Sequence, residues 1–199
     1  MTRLGILGGT FDPPHIAHLV MADQARSQLH LSCVILMPAG QPPHKLGRPV
    51  TPIEHRLAMT QLAIADDASL ALSRVEVDRS GPHYTADTLA LVRAAHPEDE
   101  LYLLIGSDSL RDLMAWRDPE RIVAQARLAV MRRPDAEPNM HALESALPGI
   151  SARVEWVDAP WLDISSHDIQ RRARAGLSIR HLVPAAVERY IVEHGLYRA

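Results

Sequence analysis

The amino-acid sequence predicts an α/β fold with a mainly parallel sheet, and two patterns along the chain predict it. The first is a series of six short apolar runs, often β-branched and bounded by glycine, proline or polar residues, which is typical of buried parallel strands. These predicted strands are residues 4–7, 33–37, 70–77, 101–105, 128–131 and 154–157. The second is the alternation of these runs with longer amphipathic stretches, which favours strand–helix–strand units.

Three amphipathic stretches are predicted to be helices. Residues 19–29 carry apolar side chains on one face, and the predicted helix 52–65 starts at the pair Thr51-Pro52, which suits a helix cap and first turn. Residues 85–95 repeat apolar side chains at helical spacing until His96-Pro97 stops them. A helical C-terminal part, about 164–199, is expected to pack beside the sheet. The predicted architecture is therefore Rossmann-like and doubly wound, with helices on both faces and ligands at the carboxyl ends of the strands.

Length and composition limit the classes of partner. A chain of 199 residues with 47% hydrophobic content fits one domain spanning residues 1–199. A net charge of −3 without a basic run argues against nucleic acid, and no apolar stretch approaches the roughly 20 residues that span a membrane. The single cysteine, Cys33, cannot form an internal disulfide, which favours a cytoplasmic location. The oligomeric state is left open, a homo-oligomer included.

The strongest local signal is the loop that follows the first predicted strand. Residues 8–18 read Gly-Gly-Thr-Phe-Asp-Pro-Pro-His-Ile-Ala-His. Two glycines allow a ligand to approach the backbone, and the N–H groups of a helix start suit phosphate. The stretch is neither the Gly-x-Gly-x-x-Gly dinucleotide fingerprint nor a Walker A loop.

His15 and His18 are three residues apart near the start of this helix, which puts both imidazoles on one face. Two such donors can hold phosphate oxygens and stabilise charge at a phosphorus under attack. Capping or packing histidines are the alternative interpretation. A zinc pair is disfavoured because no third ligand lies nearby in the sequence.

Residues 8–18 resemble the Gly-Gly-Thr-Phe-Asp-Pro-x-His-x-Gly-His signature of the nucleotidyltransferase superfamily of α/β phosphodiesterase type, with Ala17 in place of the last Gly. A second stretch, residues 164–172, resembles the Ile-Ser-Ser-Thr-x-Ile-Arg motif of the same superfamily. There His167 replaces Thr and Gln170 replaces Arg, which removes one expected charged contact with phosphate. From these motifs we expect His15 and His18 to be catalytic. The expected ATP- and phosphate-binding residues of the two motifs are Gly8, Gly9, Thr10, Phe11, Ile164, Ser165 and Ser166.

The middle of the chain is similar to bacterial nicotinate-nucleotide adenylyltransferases. The stretches that carry this similarity are Pro-Pro-His-Lys at 42–45, Tyr-Thr-x-x-Thr-Leu at 84–89, Ile-Gly-x-Asp-x-Leu at 105–110, Arg-Arg-Pro at 132–134 and Gly-Leu-Tyr at 195–197. The resemblance adds Lys45, Gly106, Asp108 and Arg133 to the expected ATP- and phosphate-binding residues. It also implies that the nicotinate nucleotide contacts His44, Thr85, Trp116 and Arg117.

Some of these roles have independent physical support. Asp108 comes shortly after the fourth predicted strand and can accept hydrogen bonds from ribose hydroxyls, although an aspartate that caps a helix is the alternative. Trp116 can stack on a pyridine ring or belong to the core. The role of Thr85 beside the nicotinate carboxylate rests on the resemblance alone. Arg117 stands where these enzymes usually carry Tyr or His, so the preference between nicotinate and nicotinamide mononucleotide is left open.

The expected reaction is adenylyl transfer from ATP to nicotinate mononucleotide, by in-line attack of the substrate phosphate on the α-phosphorus. Mg²⁺ is expected to bind through the substrate phosphates, as a hard cation on oxygen ligands, with no dedicated protein site. Two alternatives remain: an enzyme of the same fold with another acceptor, such as pantetheine phosphate, and a nucleotide-binding sensor without catalysis. His167 and Gln170 are the residues that favour the sensor.

Overall fold

Six strands form the sheet in a computed structural model that describes residues 2–40, 50–133 and 137–198. The strands are β1 (Arg3–Gly9), β2 (Cys33–Pro38), β3 (Leu70–Leu72), β4 (Glu100–Gly106), β5 (Arg127–Met131) and β6 (Val154–Val157). All five neighbouring pairs are parallel, in the order β3-β2-β1-β4-β5-β6. The predicted parallel α/β fold is confirmed, and each predicted strand has a counterpart.

The third strand is shorter than predicted. Residues 70–77 are all expected in the sheet, but the chain turns after Leu72. The N–H groups of Val77 and Asp78 bond to the carbonyl of Arg74, at 2.8 and 2.9 Å. Val75 still packs against the core without belonging to a strand, which explains why its apolar character was misleading.

The strand order reverses its direction between β1 and β4, which makes this the topological switch point of the sheet. Leu4 pairs with Cys33 on one side and with Leu101 on the other. The carboxyl ends of β1 and β4, at Gly9 and Gly106, therefore lie on the same edge. A ligand that binds this fold is expected between them.

Eight α-helices occur in the described part of the chain. They are α1 (Ile16–Leu29), α2 (Ile53–Ile64), α3 (Thr85–Ala95), α4 (Ser107–Arg111), α5 (Pro119–Gln125), α6 (Met140–Ala146), α7 (Ser166–Arg174) and α8 (Ala185–Glu193). The predicted 85–95 matches α3, and α1 and α2 lie close to the predicted bounds. Among the described residues, no helix is long and apolar enough to cross a membrane.

Apolar side chains cover both faces of the sheet, as a doubly wound fold requires. The face under α3 and α5 has buried members that include Leu4, Ile6, Leu89, Leu103 and Ile122. The face under α1 has buried members that include Leu7, Ala22, Ala25, Val34 and Leu36.

The C-terminal helices do not extend the sheet. A third apolar cluster joins Met59 of α2 to Ile169 of α7 and to Val187 and Ile191 of α8. Residues 164–199 form the helical C-terminal part that was expected, and α8 packs on α2 with Ile169 of α7 in the same cluster. This arrangement brings the first turn of α7 to the loop after β1.

Candidate active site

The loop after β1 is shaped by two glycines with different surroundings. A Cβ atom at Gly9 would lie 3.1 Å from the Phe11 ring, so the absence of a side chain lets that ring pack beneath the loop. Phe11 is buried, and its φ of 49° lies in the left-handed region that non-glycine residues seldom adopt. A Cβ atom at Gly8 would meet no atom within 4 Å. The open side of the loop is therefore at Gly8.

The two histidines form a stacked pair at the start of α1. His15 is the N-cap residue, and its backbone N–H donates to Nδ1 of His18 at 3.2 Å. Their ring centroids are 3.6 Å apart with an interplanar angle of 22°, and the Phe11 ring meets His18 edge-on at 4.9 Å. Because Nδ1 of His18 accepts a hydrogen bond, the proton of its neutral ring lies on Nε2. The Nε2–H of His18 is therefore a hydrogen-bond donor on the ring edge that faces away from the His15 backbone.

Both histidines are neutral at pH 7. Burial lowers the pKa of His15 to about 4, and the Arg133 guanidinium acts in the same direction. Burial also holds the pKa of His18 well below its usual value, with smaller contributions from His15 and Arg133. A neutral pair of this kind can offer N–H dipoles to a negative charge, but not imidazolium cations. Nδ1 of His15 is buried without a hydrogen-bond partner among the described residues.

The start of α7 contacts the β1 loop directly, although the two are more than 150 residues apart. Oγ of Ser166 donates to the carbonyl of Pro13 at 2.9 Å. Nε2 of Gln170 donates to the carbonyl of Asp12 at 2.6 Å. The structure thus brings the two sequence motifs together.

Gln170 stands where the motif usually has Arg. In this chain its side-chain amide hydrogen-bonds to the backbone of the β1 loop. The neighbouring Arg171 and Arg172 both pair with Asp168. Ser165 is the N-cap of α7, and its Oγ accepts from the N–H of Asp168 at 3.1 Å. Ile164, one residue earlier, packs on the third apolar cluster.

Asp108 and Arg133 lie at the carboxyl ends of β4 and β5. Nη1 of Arg133 is 3.4 Å from Oδ2 of Asp108, and its backbone N–H donates to Oγ of Ser107 at 2.9 Å. Oδ1 of Asp108 is buried and has no partner among the described residues. A Cβ atom at Gly106 would overlap with that oxygen, so only glycine permits this position of the carboxylate. Arg133 also contributes to the lowered pKa of both histidines, so its guanidinium lies on the same side of the sheet edge as the pair.

A cavity of about 340 Å³ adjoins Arg133. Its lining includes Ser107, Arg132, Pro138, Trp156 and Trp161. The Arg132 guanidinium lies 4.2 Å from the Trp156 ring centroid, and Trp161 is 53% exposed. Sequence reasoning missed both tryptophans, although each follows or belongs to the last strand, where ligand contacts are expected.

The residues predicted for the nicotinate nucleotide are less enclosed. Thr85 is the first residue of α3 and is half-buried. Trp116 is also half-buried and packs against the core cluster beneath α3. The exposed Arg117 guanidinium lies 5.0 Å from the Tyr84 ring centroid, which brings the segment after α4 next to the start of α3. His44 and Lys45 lie outside the described residues.

Comparison with known proteins agrees with this geometry. A family model described as cytidylyltransferase-like matches residues 6–172. The "Probable nicotinate-nucleotide adenylyltransferase" of Thermomicrobium roseum is 49% identical over 198 residues, covering 100% of this chain and 92% of the relative. The protein of the same name from Thermus thermophilus is 45% identical over 197 residues, covering 98% of this chain and 100% of the relative.

A solved structure shares the fold over nearly the whole length. Plasmodium falciparum nicotinic acid mononucleotide adenylyltransferase, complexed with NaAD, superposes with a TM-score of 0.82 and covers 99% of this chain and 98% of its own. The two sequences are 20% identical, so this likeness concerns the fold.

Proposed function

This chain belongs to the nicotinate-nucleotide adenylyltransferase family, within the cytidylyltransferase-like group, and on that premise we propose how its cleft works. The enzyme transfers the adenylyl group of ATP to nicotinate mononucleotide. The products are nicotinate adenine dinucleotide and pyrophosphate, and the reaction is a step of NAD biosynthesis. We also propose that residues 1–199 act as one nucleotidyltransferase domain in the cytoplasm.

One observation carries the proposal for the phosphates. The stacked histidines and the first turn of α7 meet at the loop after β1, at the switch point of the sheet. Parallel sheets of this kind bind ligands at that point. The open side of Gly8 gives room for a phosphate chain beside the Nε2–H of His18. In this proposal Gly8, Gly9, Thr10 and Phe11 line the triphosphate, with Ser165 and Ser166 at its outer end.

In this proposal the nucleoside end of ATP binds beside Asp108 and Arg133. The unpartnered Oδ1 of Asp108 accepts from the ribose hydroxyls, and Gly106 keeps that approach open. The cavity beside Arg133 has the flat walls that a base requires, because Trp156 and Trp161 both line it.

The chemical step needs no covalent enzyme intermediate, since the attacking group is already an anion. An oxygen of the nicotinate mononucleotide phosphate forms a bond to the α-phosphorus. The bond from that phosphorus to the bridging oxygen breaks, and pyrophosphate leaves with the electron pair. His15 and His18 contribute neutral N–H donors, and Arg133 contributes the fixed positive charge. Catalysis therefore rests on positioning and on charge neutralisation.

Mg²⁺ is proposed to bind through phosphate oxygens. The polar groups near the phosphate site are two imidazoles, the Arg133 guanidinium and one carboxylate, that of Asp108. Imidazole and guanidinium are poor ligands for a hard cation, and among the described residues no cluster of three His, Cys, Asp or Glu could hold one. Bound in this way, the ion would neutralise part of the phosphate charge.

The acceptor is proposed to lie against Thr85, Trp116 and Arg117. His44, outside the described residues, is proposed to contact the acceptor as well, and Lys45, in the same segment, to bind phosphate. Trp116 has a ring that can stack on pyridine, and Thr85 stands at the start of α3, where free N–H groups suit a carboxylate.

Pyrophosphate release from ATP tests the function. The purified protein is assayed with nicotinate mononucleotide, nicotinamide mononucleotide and pantetheine phosphate in parallel. We expect release with nicotinate mononucleotide and none with pantetheine phosphate, and the ratio of the two mononucleotide rates measures the preference for the carboxylate. ATP binding without release in any of the three assays would identify a nucleotide-binding sensor instead.

A further inference from the structure

A buried arginine lies directly beneath the β1 loop. Arg56 of α2 is 2% exposed, and its guanidinium donates only to backbone carbonyls in the described part of the chain. The acceptors are Thr10 at 2.8 Å, Ala39 at 2.8 Å, Gly40 at 3.4 Å and Thr51 at 2.9 Å. One side chain thus joins the β1 loop, the end of β2 and the segment that leads into α2.

Asp12 connects the segments that Arg56 joins to Tyr197, near the C-terminal end of the described chain. Its carboxylate accepts from the N–H of Thr51 at 3.1 Å and from the hydroxyl of Tyr197 at 2.6 Å. Tyr197 follows Asp12 by 185 residues. Burial, together with the Asp12 carboxylate, raises the pKa of Tyr197 far above its usual value, so its hydroxyl remains a donor at any working pH.

The residue held between these contacts is Phe11. Its backbone is in the left-handed region at φ 49°, which persists for a bulky residue only where the surroundings hold it. Its neighbours supply that support, since the carbonyl of Thr10 is bound by Arg56 and the carboxylate of Asp12 is bound by Tyr197. The Phe11 ring in turn lies edge-on to His18 at 4.9 Å.

We propose that Tyr197 is a positioning residue for the reaction: through Asp12, and together with Arg56, it holds the bend at Phe11 and thereby the place of the His18 ring. This inference rests on the proposed function, because it concerns the geometry of the same transition state. Tyr197 touches neither histidine in this arrangement. Its effect passes through the loop backbone.

Tyr197→Phe tests the proposal with Tyr190→Phe as its matched control. Both changes remove one hydroxyl and keep the ring, and both tyrosines pack on the third apolar cluster. Tyr190 bonds to His55 at 2.9 Å and not to the loop. We expect each variant to lower Tm by about 2–4 °C, as the loss of one hydrogen bond does in a protein of this size. Only Tyr197→Phe should lower kcat, by about tenfold, with KM for both substrates changed less than twofold.

Hydrogen exchange of the peptide that covers residues 8–18 gives a second readout. It should be faster in Tyr197→Phe than in the wild-type protein and unchanged in Tyr190→Phe. Equal kcat in the two variants, or unchanged exchange of this peptide in Tyr197→Phe, would overturn the positioning role while leaving the proposed function intact. A wild-type protein that releases no pyrophosphate would instead refute the proposed function.

Discussion

The two halves of the cleft are built in different ways. On the phosphate side, the β1 loop is held by four partly buried hydrogen bonds, from Arg56, Ser166, Gln170 and Tyr197. On the acceptor side, the described side chains are half-buried or exposed, and the Arg117 guanidinium lies over the Tyr84 ring.

This contrast indicates where the enzyme is preorganised. Donors that act on a transition state must be fixed before the reaction, because reorganising them would add to the barrier. A pocket that only selects the acceptor tolerates exposed contacts, which contribute affinity and not rate. We therefore expect substitutions on the phosphate side to lower kcat, and those on the acceptor side to raise KM.

The largest effect is expected for His18→Ala. Loss of its Nε2–H removes one fixed donor from the phosphate site, and removal of one such donor in other enzymes lowers kcat by about 10²–10³-fold. Steady-state kinetics with both substrates saturating measure this effect. His55→Ala is the control, since His55 also bonds through Nδ1 but lies against α8, on Tyr190. A His18→Ala enzyme with the kcat of the control would end the assignment of the pair to catalysis.

The next largest effect is a dependence of the free energy of unfolding on pH, and it follows from the lowered pKa of His15. Its pKa is about 4 in the folded protein and 6.5 in the unfolded chain, so the unfolded state binds more protons between these values. The stability contributed by keeping this ring neutral is complete above pH 6.5 and falls as the pH decreases toward 4. Between pH 7.5 and 5.0 we expect His15 to account for a loss of about 2 kcal/mol in the free energy of unfolding.

Urea unfolding of the wild-type protein and of His15→Gln at the two pH values measures this contribution. The variant should lose less stability on acidification, because it lacks the group. His55→Gln, changed outside the cleft, should lose as much as the wild-type protein. If all three proteins lose the same amount, the burial of His15 does not control its protonation.

The sequence predicted the sheet well because its signals are local, since each strand contains a short and mostly apolar run. The Gly-Gly and His-x-x-His patterns are local as well, because both lie within residues 8–18. Helices α4, α5 and α6 were missed because five to seven residues are too few to show a helical period.

What the sequence could not predict depends on contacts between distant residues. Gln170 was expected to weaken a phosphate contact, and its amide binds the Asp12 carbonyl across 158 positions. Neutral histidines were not foreseen either, because the pKa of His15 depends on burial and on Arg133, which follows it by more than 100 residues. The Gly-Leu-Tyr stretch at 195–197 resembles the family, but no local pattern of residues indicated the positioning role that we propose for Tyr197.

A moderate effect is expected for Asp108→Asn, which tests whether the Asp108 carboxylate binds ATP. Asparagine keeps the shape but replaces a charged acceptor with a weaker neutral one, so KM for ATP should rise about tenfold. Asp112→Asn is the control, because Asp112 is exposed and pairs only with Arg111 among the described residues. An Asp108→Asn enzyme with unchanged KM for ATP would mean that the carboxylate serves only to pair with Arg133.

The smallest effect is expected for Arg117→Ala, and it tests the acceptor side directly. The Arg117 side chain is 61% exposed, and its contact with Tyr84 is a cation–π interaction in water. Such exposed contacts are worth about 0.5–1 kcal/mol, so KM for nicotinate mononucleotide should rise only about two- to fivefold, with kcat unchanged. Arg111→Ala, at a similarly exposed arginine that pairs with Asp112, should leave both constants at the wild-type values. A rise of KM beyond about twentyfold, or any matching fall in kcat, would show that the guanidinium binds the substrate phosphate itself. The acceptor side would then be preorganised in the same way as the phosphate side. In that case the exposed fraction of a side chain would no longer distinguish residues that select the acceptor from residues that act in catalysis.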